Sequence, residues 1–208
     1  MLDVARWTAT STSRWELILV FVIGLCSGLL IPRVMRTFQR FSTVKDIPDA
    51  CFHQRMTLRG TVVSVSDGDT FRLRHMPLWR GVGTYPTKKP TEHTLQIRLA
   101  GVDTPEMPHF GKECQPYAKE AKAWLVHELK GAVVTVTLLR RDQYGRAVCM
   151  VTYSKSWWAV KKNVSEELLR VGLAKVYRLA GAEYGGLLDT FNILEAHAKK
   201  AKLNIWSQ

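Results

Sequence analysis

The sequence predicts an α+β domain of five strands and three helices, preceded by one apolar N-terminal segment. Three observations point there. Short stretches after residue 55 alternate apolar and polar residues, helical spacing first appears after residue 117, and residues 17–32 carry no charge. A period of two marks strands and a period near 3.6 marks helices. Strands mostly first and helices mostly later indicate segregated α+β architecture.

At 208 residues the chain can hold one ordinary domain and an appendage. Its 46% hydrophobic content excludes a disordered chain. The formal charge is +12, and most of it lies after residue 52, where 24 Lys/Arg stand against 14 Asp/Glu. A surface of that sign attracts polyanions, either nucleic acid or anionic lipid, although a merely basic soluble protein has the same balance. Cys26, Cys51, Cys114 and Cys149 show no C-x-x-C spacing, which argues against zinc. Cys149, inside "RAVCMVTY", reads as a buried strand thiol.

The 16 uncharged residues from Leu17 to Pro32 would span about 24 Å as a helix, against about 30 Å of bilayer hydrocarbon. Trp15 at one interface and Arg33 and Arg36 snorkelling at the other make up the difference. The expectation is an N-terminal tail over 1–14, a transmembrane anchor over 15–35 in contact with the lipid bilayer, and a linker over 36–54 broken at Pro48. A cleaved signal peptide is the rival reading. It fits less well because no small-x-small site appears and the basic run "RVMRTFQRF" follows directly.

The first strand carries Val63 and Val65, the second Phe71 and Leu73, and the third Leu95, Ile97 and Leu99. Val134, Val136 and Leu138 mark the fourth, and "RAVCMVTY" the fifth. Residues 77–94 are long, basic and rich in Gly and Pro, hence a loop. Ala118, Ala121, Leu125 and Leu129 share one face of a helix that Gly131 ends. Asn163 and Glu166 stand at capping-box spacing before a second helix that closes on Gly172. Asn163-Val164-Ser165 is formally a glycosylation sequon, for which the cap reading is preferred. Leu187, Phe191, Leu194, Ala198 and Ala201 form the stripe of a third helix.

Chemistry-bearing residues gather in three places. "VSDGDTFRLR" sets Asp67 and Asp69 around a glycine between two strands, either as turn residues or as half of a metal site. "IRLAGVDTPE" brings Arg98, Asp103, Thr104 and Glu106 within nine residues, and "RRDQYGRAV" places Arg146 after a Tyr-Gly turn. Oxygen donors suit Ca²⁺ or Mg²⁺, and guanidinium groups suit a phosphate that gains negative charge in a transition state. Taken singly, Arg98 and Arg146 read equally as a paired surface arginine and a turn residue.

Together with "GLAKVY" and "KLNIW", these segments resemble the staphylococcal-nuclease-like (thermonuclease) family, in order, over about residues 55–207. The resemblance implies a five-stranded OB-fold barrel with three helices. It also implies a calcium-dependent endonuclease that hydrolyses DNA and/or RNA and leaves the phosphate on the 3′ side. Matched by motif, Asp69, Asp103 and the backbone carbonyl of Thr104 resemble the Ca²⁺ ligands, with Asp67 behind them. Glu106 resembles the general base, Arg98 and Arg146 the pair that grips the phosphate, and Tyr144 and Tyr177 substrate contacts. Two departures stand out: Gln143 replaces a lysine of the bacterial prototype, and its spaced tyrosine pair is reduced to Tyr177 followed by Arg178.

The order of apolar span, basic stretch and nuclease-like domain, with the insert before "HTLQIRLAGVD", also resembles the single-pass membrane endonucleases of fungal mitochondria. That implies a mitochondrial membrane location, nucleic acid as the partner and no protein partner. The alternatives are a catalytically inactive nucleic-acid- or protein-binding OB-like module on a membrane, and a scaffold whose basic face touches anionic lipid. Inactive modules of the family lose carboxylates or arginines, and every one is present here.

Overall fold

Five antiparallel or parallel neighbours close on themselves in the computed structural model, which describes residues 38–79, 81–84, 88–108, 113–156 and 158–207. The expected membrane anchor over 15–35 and the tail before it lie outside the described residues. Among the described residues, no helix is long and apolar enough to cross a membrane.

Strands β1 (Thr57–Asp67), β2 (Thr70–His75) and β3 (Leu95–Leu99) form a meander. The two-residue β4 (Val102–Asp103) follows, then helix α2 (Ala118–Leu129). Strands β5 (Val133–Arg141) and β6 (Ala147–Tyr153) complete the barrel in the order β3-β2-β1-β5-β6. It closes where β3 runs parallel to β6, with Arg98 beside Val148. Closure removes the open strand edges that would otherwise invite pairing with other chains. The short β7 (Lys162–Asn163) leads into α3 (Val164–Arg170). Strand β8 (Lys175–Val176) pairs with β4 ahead of α4 (Leu188–Lys200).

The five main strands and three longer helices match the sequence expectation of a five-stranded barrel. Leu95, Ile97 and Leu99, and likewise Val134, Val136 and Leu138, all point inward and are buried. The first strand differs in phase. Leu58 and Val62 face the core, whereas Val63 is only half-buried, because register shifts between Val62 and Ser64 and between Val65 and Asp67 interrupt the alternation. Each bulge inserts a residue and turns the following side chains to the other face.

Residues 36–54 were expected as a linker, and the structure corrects this from Arg40 onward, where the compact unit begins. Phe41, Val44, Ile47 and Cys51 are buried against the barrel. Helix α1 (Asp49–His53) starts directly after Pro48, whose missing N–H costs nothing at a helix start. Arg141 fastens this segment by bonding the carbonyls of Val44 and Ile47 and the carboxylate of Asp49. Alternating apolar residues at irregular spacing gave no periodic signal, which is why the segment looked like a linker.

His75 closes the other end of that contact. Its Nδ1 accepts the Phe41 N–H at 3.0 Å, and its ring stacks on Phe41 with centroids 5.3 Å apart. Burial, reinforced by the positive charges of Arg40 and Arg74, holds its pKa down to about 4 from 6.5. The folded state therefore binds this proton less readily than the unfolded chain. Stability is complete above pH 6.5 and falls as pH drops towards 4, by up to about 3 kcal/mol from this group. In His75→Phe, urea unfolding between pH 7 and pH 4.5 should show a correspondingly shallower loss than wild type. Parallel curves would contradict the assignment.

The helix caps follow the sequence. The Asn163 side chain accepts the N–H groups of Ser165 and Glu166, so the sequon asparagine is occupied as the cap of α3. Buried Glu195 was not anticipated on the inner side of α4, and Ala201, expected on the apolar stripe, is exposed.

Candidate active site

The Asp-Gly-Asp stretch is a two-residue hairpin turn between β1 and β2, with Asp67 paired to Thr70. A β-carbon on Gly68 would meet Thr104 Oγ1 at 2.7 Å and the Ala121 β-carbon at 2.9 Å. Only glycine lets this turn press against the segment after β4 and against α2. That contact brings the first acidic pair to the second.

Asp69 is buried and accepts bonds from the Thr70 hydroxyl at 2.9 Å and the Thr104 N–H at 3.4 Å. Arg98, on β3 beside Thr70, bridges two carboxylates, one nitrogen on Asp69 and another on Asp103 at 3.2 Å. Lys175 of β8 reaches the second oxygen of Asp103 at 3.3 Å. Burial and the neighbouring Arg146 charge lower the Arg98 pKa from its ordinary value, against the pull of Asp103 and Glu106. Two cations thus share a small volume with several carboxylates.

Glu106 is exposed at the rim and held by Gln115, whose side-chain oxygen accepts the Glu106 N–H at 2.9 Å. Partial burial and the facing Asp67 carboxyl push its pKa above the usual carboxylate range, with Asp103 adding to the effect. The opposite wall is the turn between β5 and β6. There Asp142 accepts the Arg146 backbone N–H at 2.8 Å and its Nε at 2.6 Å, and it also accepts the Tyr144 N–H. Arg146 lies 5.1 Å from the Tyr144 ring and reaches the Thr70 hydroxyl at 3.4 Å. With Nε committed to Asp142, the guanidinium plane is fixed on the wall of the cleft that Arg146 lines.

The resulting cleft encloses about 460 Å³ and is lined by Arg98, Asp103, Glu106, Tyr144, Arg146 and Tyr177 among others. Asp69 joins it through Arg98, Thr104 through its N–H on Asp69, and Asp67 through Glu106. Tyr177 lies 6.0 Å from the Arg98 guanidinium, and its carbonyl accepts the Tyr184 hydroxyl at 2.7 Å. Arg178 points away, onto Glu195 and Asn192 of α4. Every sequence-proposed residue therefore converges on one region. The supports that sequence reasoning passed over are Asp142, Gln115 and Lys175. An aspartate four residues before an arginine across a Tyr-Gly turn was the legible signal for the first; the other two depend on tertiary contacts.

The donor set suits a hard cation. All candidate ligands are oxygens, the Glu106 pKa is raised by burial and then by neighbouring carboxylates, and buried Thr104 Oγ1 has no hydrogen-bond partner among the described residues. Among the described residues, no three His, Cys, Asp or Glu side chains gather closely enough to cage an ion alone. An ion here would rely on Asp69, Asp103, the Thr104 carbonyl and water.

Residues 96–208 match the family model described as staphylococcal nuclease homologue. The chain belongs to the staphylococcal-nuclease-like family. Its relatives in that family include endonuclease Htp3 of Saprolegnia parasitica, 57% identical over 194 residues that cover 93% of this chain and 90% of the relative. Probable endonuclease lcl3 of Pyrenophora tritici-repentis is 38% identical, over 97% of this chain and 77% of its own length. Probable endonuclease LCL3 of Candida albicans is 41% identical, over 83% of this chain and 76% of its own. The matched residues include the Arg98–Glu106 segment and the Arg146 turn.

Proposed function

We propose that this chain is a calcium-dependent endonuclease that hydrolyses phosphodiester bonds of DNA and/or RNA. The observation that carries the reading is one cleft lined by two arginines, Arg98 and Arg146, together with the carboxylates of Asp103 and Glu106. The relatives named as endonucleases support the same reading.

A phosphodiester is inert because its charge repels nucleophiles and its leaving group departs poorly. Two tasks follow: neutralising charge and activating water at one place. Arg146, oriented by Asp142, offers a fork of N–H groups to the phosphate oxygens, and Arg98 offers a second from β3. Glu106, whose pKa is raised, would take the proton from the attacking water. Bound Ca²⁺ would be held by Asp69, Asp103 and the Thr104 carbonyl and would supply charge neutralisation at the scissile phosphate. Asp67 faces Glu106 and, after burial, adds to the rise in that carboxyl's pKa. Tyr144, 73% exposed at the rim, and Tyr177 provide ring surfaces for bases or phosphates.

Incubating the purified protein with single-stranded and supercoiled DNA in Ca²⁺, then in excess EGTA, tests the proposal. Cleavage with calcium and its loss by at least about 10²-fold on chelation are expected. Binding without nicking would mark an inactive module instead.

The uncharged run of residues 17–32 supports a further part of the reading, in which the nuclease is tethered to a membrane through residues 15–35; a mitochondrial location rests only on the resemblance to the single-pass membrane endonucleases of fungal mitochondria. Resistance of the native protein to alkaline extraction from mitochondrial membranes is the expected result; release into the supernatant would contradict it.

A further inference from the structure

Strand β5 ends in two adjacent arginines that do different work. Arg141 is consumed by the segment before α1. Arg140 has no comparable engagement. Among the described residues its only hydrogen bond runs from one terminal nitrogen to the Arg141 carbonyl at 3.2 Å, and its buried Nε has no partner there. Among the described residues no carboxylate pairs with it. A half-buried guanidinium without an anion is uncommon, since taking a charge out of water is costly unless something compensates it.

The sheet explains where this cation points. Counting by twos from Val134, Val136 and Leu138 would send Arg140 into the core. A register shift between Leu138 and Arg140 adds one residue and turns the side chain outward. Arg140 then pairs across to Val148, and Val148 pairs across to Arg98 on the far side. Directly paired residues share a face, so Arg140, Val148 and Arg98 form one row across three strands. The two arginine backbones are about 10 Å apart at ordinary strand spacing. All three line the same cleft.

A second element shapes the mouth beside it. Gly181, with φ of +75°, lies so that a β-carbon there would sit 3.5 Å from the nearest Arg140 terminal nitrogen. Ala180 and Ala182 flank it and line the cleft too, so small residues leave the guanidinium approachable. Glu183 lines the same mouth without pairing to Arg140.

We infer that Arg140 forms a second phosphate subsite, which binds a phosphate of the polynucleotide neighbouring the one held between Arg98 and Arg146. The inference rests on the nuclease reading for the identity of its ligand, though not on any role in bond cleavage. A single-phosphodiester dinucleotide cannot use the subsite, while a longer strand can. Arg140 is a binding residue, and the bond-breaking step proceeds without it.

The test compares wild-type protein with Arg140→Gln and Arg140→Lys on a thymidine dinucleotide and a thymidine octanucleotide. For Arg140→Gln, KM for the octanucleotide should rise about tenfold with kcat changed less than about twofold, and the dinucleotide constants should stay put. Calcium-free equilibrium binding of the octanucleotide across a salt series reads the contact independently of cleavage. Its log–log salt slope should fall by about 0.7, the amount for one lost single-strand phosphate contact, and Arg140→Lys should restore it. A salt slope that does not move, or an equal loss on both substrates, would overturn the subsite. If the wild type cleaves neither substrate yet the slope falls as stated, the nuclease reading fails and the subsite stands.

Discussion

Arg146→Ala is expected to lower kcat/KM for oligonucleotide cleavage by about 10²–10³, with the circular dichroism spectrum unchanged. The magnitude is that of removing one preorganised donor from a site where charge develops, about 3–4 kcal/mol of barrier. Arg146 suits that role because Asp142 fixes its Nε at 2.6 Å and, among the described residues, its terminal nitrogens hydrogen-bond only the Thr70 hydroxyl at 3.4 Å. Arg98, in contrast, is bonded to Asp69, Asp103 and the Val102 carbonyl. The fold should tolerate the change, since the backbone N–H of residue 146 still bonds Asp142 and closes the turn. Arg146→Lys should recover only a minor part, because an ammonium restores the charge without the paired donors. Steady-state rates at saturating calcium check this. An alanine variant within twofold of wild type would remove Arg146 from the reaction.

Glu195→Ala is expected to cost about 3 kcal/mol of stability, although the residue lies away from the cleft. Burial by itself would raise the pKa of this carboxyl. Hydrogen bonds from Arg178, Lys199 and the Val176 N–H instead hold it down at about 2. Because the folded pKa lies below that of the unfolded chain, the contribution is complete above pH 4.5 and is lost as pH falls towards 2. Truncation strands the Val176 N–H of β8 and releases Arg178, and Tyr177 follows directly in sequence. Arg178 and Lys199 are each about half exposed, so water screens part of their loss. Glu195→Gln keeps an acceptor for Val176 and should lose roughly half as much. Urea unfolding at pH 7 checks both variants, and a loss below about 1 kcal/mol in Glu195→Ala would contradict the role.

These two residues also mark what the sequence could and could not disclose. The barrel strands were legible because Leu95, Ile97 and Leu99 repeat with period two against polar neighbours. The acidic turn and the Arg146 turn were legible because their chemistry is local: each places its key residue within a few positions of the turn that presents it. Glu195 was not legible. It lies between apolar residues of an amphipathic helix, where a carboxylate reads as a solvated face until Val176 and Arg178 are seen to arrive from another segment. The residues from Phe41 to Cys51 were missed for a related reason. Their burial depends on Arg141 and His75, far along the chain, and leaves no periodic trace. Arg140 and Val63 were displaced from their simple alternation by bulges, which insert a residue without any signature in composition.

The central claim is that Asp69 of the β1–β2 turn and Asp103 of β4 hold one divalent cation beside a guanidinium pair. Calorimetric titration of Ca²⁺ into the protein with an uncleavable phosphorothioate oligonucleotide tests it most directly. One ion per chain is predicted for wild type, with binding lost in both Asp69→Asn and Asp103→Asn. Calcium that fails to bind, or that binds equally well to both variants, would contradict the claim.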